Sequence, residues 1–258
     1  MSVLDSFSLK GKVAIITGGA GLYGRQIVEA LAEAGAKTFI ASRNLAALEK
    51  VAEIHRKRGE DVTALKFDQG SEQSACALRD HVMKEAGKID ILVNNSVARP
   101  MNGFADKIEN YAESMRINAT GLFSITRAVG DVILSGGSII NIGSIMGLIG
   151  PEPANYRGTD MNGFYPEYFF HKGGMVNLTR FLASYYGGKG IRCNCIHPGG
   201  FQTEKIPEAF VRQYCERTCL GRLANEKDLK GIIVFLASDA SLYVTGANIP
   251  VDGGYTAK

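Results

Sequence analysis

Val13-Ala-Ile-Ile-Thr17-Gly-Gly-Ala-Gly-Leu-Tyr-Gly24 decides the fold of this chain. The apolar run Val13-Ala-Ile-Ile16 reads as a strand buried on both faces. A glycine-rich turn follows it. Then comes an amphipathic helix with Ile27, Leu31 and Ala34 on one face and Gly35 just past its end. Gly19, Gly21 and Gly24 fit the spacing G-x-G-x-x-G between strand and helix, where glycines admit positive φ and close backbone approach. The helix start offers free N–H groups and partial positive charge, so the turn reads as the cradle of a dinucleotide pyrophosphate.

The same alternation runs outward along the chain. Residues 38–41 form a second strand candidate, and Leu45, Leu48, Val51 and Ile54 mark a second helix closed by Gly59. Further strand candidates lie at 62–67, 89–93, 138–142, 191–196 and 247–251, with helical patterns between them, the clearest at 229–237. Continuous apolar strands alternating with helices predict a doubly wound α/β fold, a mostly parallel sheet covered on both faces. No linker, low-complexity tract or internal repeat interrupts residues 1–258, which are expected to form one domain.

The end of the second strand bears on the cofactor. An acidic residue there binds the adenosine ribose of NAD, whereas an arginine accommodates a 2′-phosphate. The chain reads Ile40-Ala-Ser42-Arg43-Asn44, without a carboxylate, so Ser42 and Arg43 favour NADP, with NAD as the alternative.

Composition excludes several classes. A 258-residue chain with 45% hydrophobic and 21% charged residues is ordinary for a globular enzyme. Its formal charge of +3, spread evenly, suggests neither nucleic acid nor an anionic membrane as partner. No apolar run approaches a membrane span, and Met1-Ser-Val-Leu-Asp-Ser-Phe-Ser-Leu-Lys-Gly-Lys12 lacks the layout of a secretion signal. Five cysteines without C-x-x-C spacing or ligand company read as reduced thiols of a cytoplasmic protein that holds no metal.

Tyr168 and Lys172 follow Pro166 and lie four residues apart, hence on one face of a helix. A nearby ammonium favours phenolate and brings the phenol toward the working range of a general acid/base. Alone, Y-x-x-x-K also fits a tyrosine packed on a lysine stem.

With these residues assembled, the chain resembles the short-chain dehydrogenase/reductase family along essentially its whole length. Thr17, Gly18 and Gly24 match that family's T-G-x-x-x-G-x-G turn, with Leu22 standing where the middle glycine is usual and Tyr23 beside it. Asp68 matches the position that contacts adenine, and Asn94-Asn95-Ser96-Val97 occupies the site of N-N-A-G with its last two residues changed. Asn118 and Ser144 match the active-site asparagine and serine, completing a tetrad with Tyr168 and Lys172. Pro198, Gly199 and Thr203 match the segment beside the nicotinamide, and Asp252-Gly-Gly254 the usual ending.

The resemblance implies a Rossmann fold with a central seven-stranded sheet, and hydride transfer between nicotinamide and a carbonyl or secondary alcohol. Tyr168 would exchange the proton, Lys172 would lower its pKa and hold the nicotinamide ribose, and Ser144 would hydrogen-bond the reacting oxygen. Asn118 would anchor a water linking Lys172 to solvent, and Asn94 would brace the sheet centre and cofactor. A homotetramer or homodimer is the family expectation.

One departure concerns substrate. Ser144 and Tyr168 are 24 positions apart, about twice the usual separation, and long loops in compact domains are functional or disordered. The added stretch within 150–165 carries Asn155, Tyr156, Arg157 and Asp160, suited to a hydroxylated or anionic ligand, and Arg99 after the fourth strand is another candidate contact. It also fits a loop packed on a neighbouring subunit. A faint similarity of its Y-x-G-T-x-M pattern to members that modify bacterial surface sugars favours a sugar-derived or polyhydroxy substrate. The alternatives are a 3-oxoacyl ketoreductase and a non-catalytic cofactor-binding regulator.

Overall fold

In a computed structural model that describes residues 2–258, the chain builds one seven-stranded sheet in the order β3-β2-β1-β4-β5-β6-β7. The strands are β1 (Val13–Thr17), β2 (Lys37–Ser42), β3 (Val62–Lys66), β4 (Ile91–Asn94), β5 (Ser138–Ile142), β6 (Arg192–Pro198) and β7 (Asn248–Val251). Every pairing is parallel. The helices are α1 (Leu22–Glu33), α2 (Leu45–Lys57), α3 (Glu72–Ala86), α4 (Ile108–Met115), α5 (Leu122–Gly130), α6 (Pro166–Gly187), α7 (Glu208–Arg217) and α8 (Lys230–Ala237).

Alternation along the strands supplies two apolar layers. Ile16, Ile40, Ile140 and Ile196 pack against Ile27 and Leu31 of α1 and Ile233 and Leu236 of α8. Their neighbours Ile15, Phe39 and Ile139 face the other way, onto Leu78 of α3, Ile125 of α5 and Leu182 of α6. Both faces of the sheet are therefore covered, which is why its central strands tolerate no polar alternation.

Helix ends follow local chemistry. Asn44 caps α2 by accepting from the Ala47 N–H, and Ser71 caps α3 by accepting from that of Ser74. The fourth strand starts at Ile91, two residues later than its apolar run begins, because Asp90 turns its carboxylate onto the Val13 N–H at 2.8 Å.

After β3 the chain crosses over β1 and continues on the sheet's other side as β4. Strand order thus reverses between β1 and β4, and the carboxyl ends of these two strands open the crevice in which doubly wound sheets bind ligands. Asn94 stitches the sheet there, its Nδ2 donating to Asn141 Oδ1 of β5 and to Thr126 Oγ1 of α5, both at 2.9 Å.

Candidate active site

A cleft of about 690 Å³ runs across these carboxyl ends. Its first end is the turn between β1 and α1. Gly18 adopts φ +76°, and a Cβ on Gly24 would lie 2.2 Å from the Gly18 carbonyl, so both positions require glycine. No side chain caps α1. Its first turn faces the cleft through Gly21, Leu22, Tyr23 and Gly24, leaving the positive end of the helix for an anion. The residues present therefore fit a dinucleotide pyrophosphate.

The turn is locked from two sides. Asn95 donates its side-chain amide to the carbonyls of Thr17 and Gly18, both at 3.0 Å, and Thr17 Oγ1 accepts from the N–H groups of Asn95 and Ser96. The Tyr23 hydroxyl donates to the Gly199 carbonyl at 2.6 Å, and burial raises its pKa far above the ordinary phenol value. Leu22, at the position where a glycine is usual, is 60% exposed at the cleft edge between Gly21 and Gly24.

Ser42, Arg43 and Asp68 line the far side of this end. Ser42 ends β2, Arg43 follows it, and Asp68 lies just past β3 beside Gln69, which donates to the Ile117 carbonyl at 3.0 Å.

The other end of the cleft holds Ser144, Tyr168 and Lys172. Ser144 follows β5, while Tyr168 and Lys172 extend from the first two turns of α6, which Pro166 starts. The Lys172 ammonium is buried, donates to the Ile142 carbonyl at 2.5 Å, and lies 5.8 Å from the centre of the Tyr168 ring. Arg99 stacks over the same ring, 4.2 Å from its centre. Burial would raise the Tyr168 pKa, but the charges of Lys172 and Arg99 and the nearby Ser144 hydroxyl outweigh it and hold the phenol below its usual value. Burial likewise pushes the Lys172 ammonium down, opposed by the phenol. His171, edge-on to Tyr168, is pushed down to about 3 by burial and then by the charges of Lys172 and Arg99, so it stays neutral.

Ser144 is positioned through its main chain as well. His197 Nδ1 lies 2.9 Å from the Ser144 carbonyl and 3.3 Å from its N–H, while Nε2 reaches Asn248 Oδ1 at 2.9 Å. The serine hydroxyl accepts from the Met146 N–H at 3.1 Å.

Asn118 belongs to a π-helical turn, Arg116–Gly121, that joins α4 to α5. Its side chain is turned away from the cleft: Oδ1 accepts from the Ala98 N–H, and Nδ2 donates to the Ala98 carbonyl and to Ser114 Oγ. The asparagine thereby fixes the stretch that carries Ser96 and Arg99.

The lengthened segment packs onto its own chain as a roof. Glu152 pairs with Arg217 of α7, the Gln213 side chain donates to the Arg157 carbonyl at 2.9 Å, and Tyr156 packs against Phe210. At its other end Asn162 donates to the Asn102 carbonyl at 3.3 Å. Gly163 lets the roof close, since a Cβ there would meet the Tyr156 ring at 2.3 Å.

Several sequence candidates lie outside the cleft lining. Asn155 is buried and donates to the Tyr255 hydroxyl at 2.6 Å, which makes it a brace of the roof. Arg157 and Asp160 face outward on an exposed turn. Gly19 packs against Ile40 and Val28 beneath the turn, Asn94 donates its Nδ2 within the sheet, and Thr203 lies beyond the lining. Arg99 and Tyr156 do line it, as do Ser96, Pro198 and Gly199. Met161, Asn162, Tyr165, Phe169, Phe210 and Tyr214 also line it and were not singled out from the sequence. The first three belong to the inserted stretch itself, and Phe210 and Tyr214 carry a helical i, i+4 signal on α7.

The profile of a family described as "Enoyl-(Acyl carrier protein) reductase" matches residues 21–256. L-rhamnose 1-dehydrogenase (NAD(P)(+)) of a Sphingomonas species is 34% identical over 257 residues, covering 95% of this chain and 96% of the relative. The chain belongs to the short-chain dehydrogenase/reductase family. Another short-chain dehydrogenase/reductase relative, a 3-oxoacyl-[acyl-carrier-protein] reductase of Pseudomonas aeruginosa, is 32% identical over 253 residues, 96% of this chain and 98% of the relative. A solved gluconate 5-dehydrogenase from Burkholderia cenocepacia, in complex with NADP and tartrate, superposes with a TM-score of 0.87 at 31% identity, covering 100% of both chains. As a short-chain dehydrogenase/reductase the chain is an NAD(P)-dependent oxidoreductase that acts on CH–OH groups.

Proposed function

We propose that this enzyme oxidises a carbinol of a sugar-derived or polyhydroxy compound, or reduces the matching carbonyl, with NADP preferred over NAD. The observation that carries the proposal is the Tyr168 phenol, held low by Lys172 and Arg99 beside Ser144 under a polar roof. The nicotinamide cofactor, when bound, accepts or supplies the hydride.

The chain's residues do the rest. In oxidation the Tyr168 phenolate takes the carbinol proton, and in reduction the phenol donates it. Lys172 stabilises the phenolate and, with the cofactor bound, would hold the nicotinamide ribose. Ser144 donates its hydroxyl to the reacting oxygen, and His197 holds that serine's main chain in place. Asn118 fixes the stretch from Ser96 to Arg99, and through its main chain it would anchor a water linking Lys172 to solvent. Ser42 and Arg43, which line the far end of the cleft, would hold the 2′-phosphate, and Asp68 beside them would contact the adenine.

The substrate class draws support from the roof, whose Tyr156 and Tyr165 bring phenol side chains to the cleft lining. Two relatives described above are named for a sugar and a sugar acid. The Pseudomonas relative supports a second reading, reduction of 3-oxoacyl thioesters. We take residues 1–258 as one domain carrying both cofactor and substrate sites. Exposed Ile108, Phe170, Phe181 and Tyr185 on α4 and α6 suit assembly into a homotetramer or homodimer, and five unpaired cysteines suit a cytoplasmic setting. No helix among the described residues is long and apolar enough to cross a membrane.

Oxidation of a panel of sugars, polyols and hydroxy acids, followed at 340 nm with each cofactor, tests the reading. Turnover of the panel with NADP supports it. Activity confined to acyl thioesters in the reducing direction contradicts it.

A further inference from the structure

The substrate end of the cleft carries more positive charge than proton transfer requires. Arg99 and Lys172 both line it, and among the described residues the only acidic one lining the cleft is Asp68, at the opposite end. Lys172 is buried and spent on Tyr168 and the Ile142 carbonyl. Arg99 enters no ion pair among the described residues. Its guanidinium lies over the Tyr168 ring and also approaches that phenol's oxygen, while no carboxylate or carbonyl among the described residues occupies its remaining N–H groups. Arg99 is solvent-exposed where it lines the cleft.

We infer that Arg99 binds an acidic group of the substrate, so that the compound oxidised is a hydroxy acid of the sugar type with its carboxylate close to the reacting carbinol. The inference deepens the sugar reading and rests on it. A single planar guanidinium matches a carboxylate with two parallel hydrogen bonds. A phosphate would call for further donors, and the neighbouring cation Lys172 is already engaged. Stacking on the tyrosine fixes the geometry: an anion on Arg99 lies beside the ring whose hydroxyl meets the carbinol, which selects an acid group near that carbon. The roof residues Tyr156 and Tyr165 then remain for the other hydroxyls. Burial raises the Tyr156 phenol, so it presents a neutral hydroxyl that repels no anion.

The test uses matched pairs, D-gluconate against D-glucitol and D-galactonate against galactitol, with saturating NADP and the wild-type, R99Q and R99K proteins. The wild type is expected to favour each acid over its polyol in kcat/KM by about tenfold or more. In R99Q both substrates slow, because the tyrosine loses a cation, but the acid loses about 30-fold more through KM and the preference collapses. R99K restores part of it. Equal losses for acid and polyol in R99Q, or a wild-type preference for the polyol, overturn the inference.

Calorimetric titration of D-gluconate into the enzyme loaded with NADPH separates the two readings. Binding by the wild type that disappears in R99Q, without turnover of any pair, upholds the acid site and refutes the oxidation of these sugars. Turnover of polyols with no gluconate binding upholds the sugar reading and refutes the acid site. Absence of both binding and turnover refutes the inference.

Discussion

The Tyr23 hydroxyl and the Gly199 carbonyl, 176 positions apart, meet at 2.6 Å and tie the first turn of α1 to the loop after β6. These two segments flank the cofactor end of the cleft, so the bond sets its width. Tyr23→Phe leaves a partly buried carbonyl without its donor. It is expected to weaken NADPH binding about three- to tenfold, read by quenching of the cofactor's fluorescence. The rate at saturating cofactor should change less than the affinity.

Arg43 follows β2 and enters no ion pair among the described residues, so its charge is available to a phosphate. Arg43→Ala should raise KM for NADP about tenfold or more and that for NAD much less. Equal effects on both cofactors would remove the 2′-phosphate reading.

Lys172 is the strongest influence that lowers the Tyr168 phenol against burial. Oxidation needs the phenolate, so its rate rises with pH through the tyrosine's pKa, and reduction falls through the same value. Lys172→Met should move the midpoint of the oxidative pH profile upward by about one pH unit or more, besides lowering the rate. An unshifted midpoint would show that another group titrates.

Asn155 and Tyr255 brace the roof from inside, at 2.6 Å and out of contact with the cleft. Asn155→Ala strands a buried hydroxyl and should lower the unfolding free energy by about 1–3 kcal/mol, measured by urea denaturation.

The parallel sheet was legible because its strands are short apolar runs separated by helical patterns, and residues 13–24 alone placed the crevice. Tyr168 and Lys172 were legible as helical neighbours for the same reason, since local spacing fixes their common face. The occupants of the roof were not. Asn155 is chemically as suited to a ligand as Asn162, and only folding decides that the first reaches Tyr255 while the second faces the cleft. Asn94 and Asn95 differ in the same way. Strand alternation sends Asn94 into the sheet, while Asn95, one residue past the strand, reaches the glycine turn. Arg99 was legible as a candidate ligand contact, but only the fold places it over the Tyr168 ring.

The central claim is that the Tyr168 hydroxyl exchanges the proton with the reacting carbinol. The most direct measurement is single-turnover hydride transfer by Tyr168→Phe, with NADPH binding measured on the same sample. We expect normal cofactor affinity, an unchanged fold by circular dichroism, and a transfer rate lower by about 10²–10⁴-fold. Hydride transfer at near wild-type speed in that variant would contradict the account.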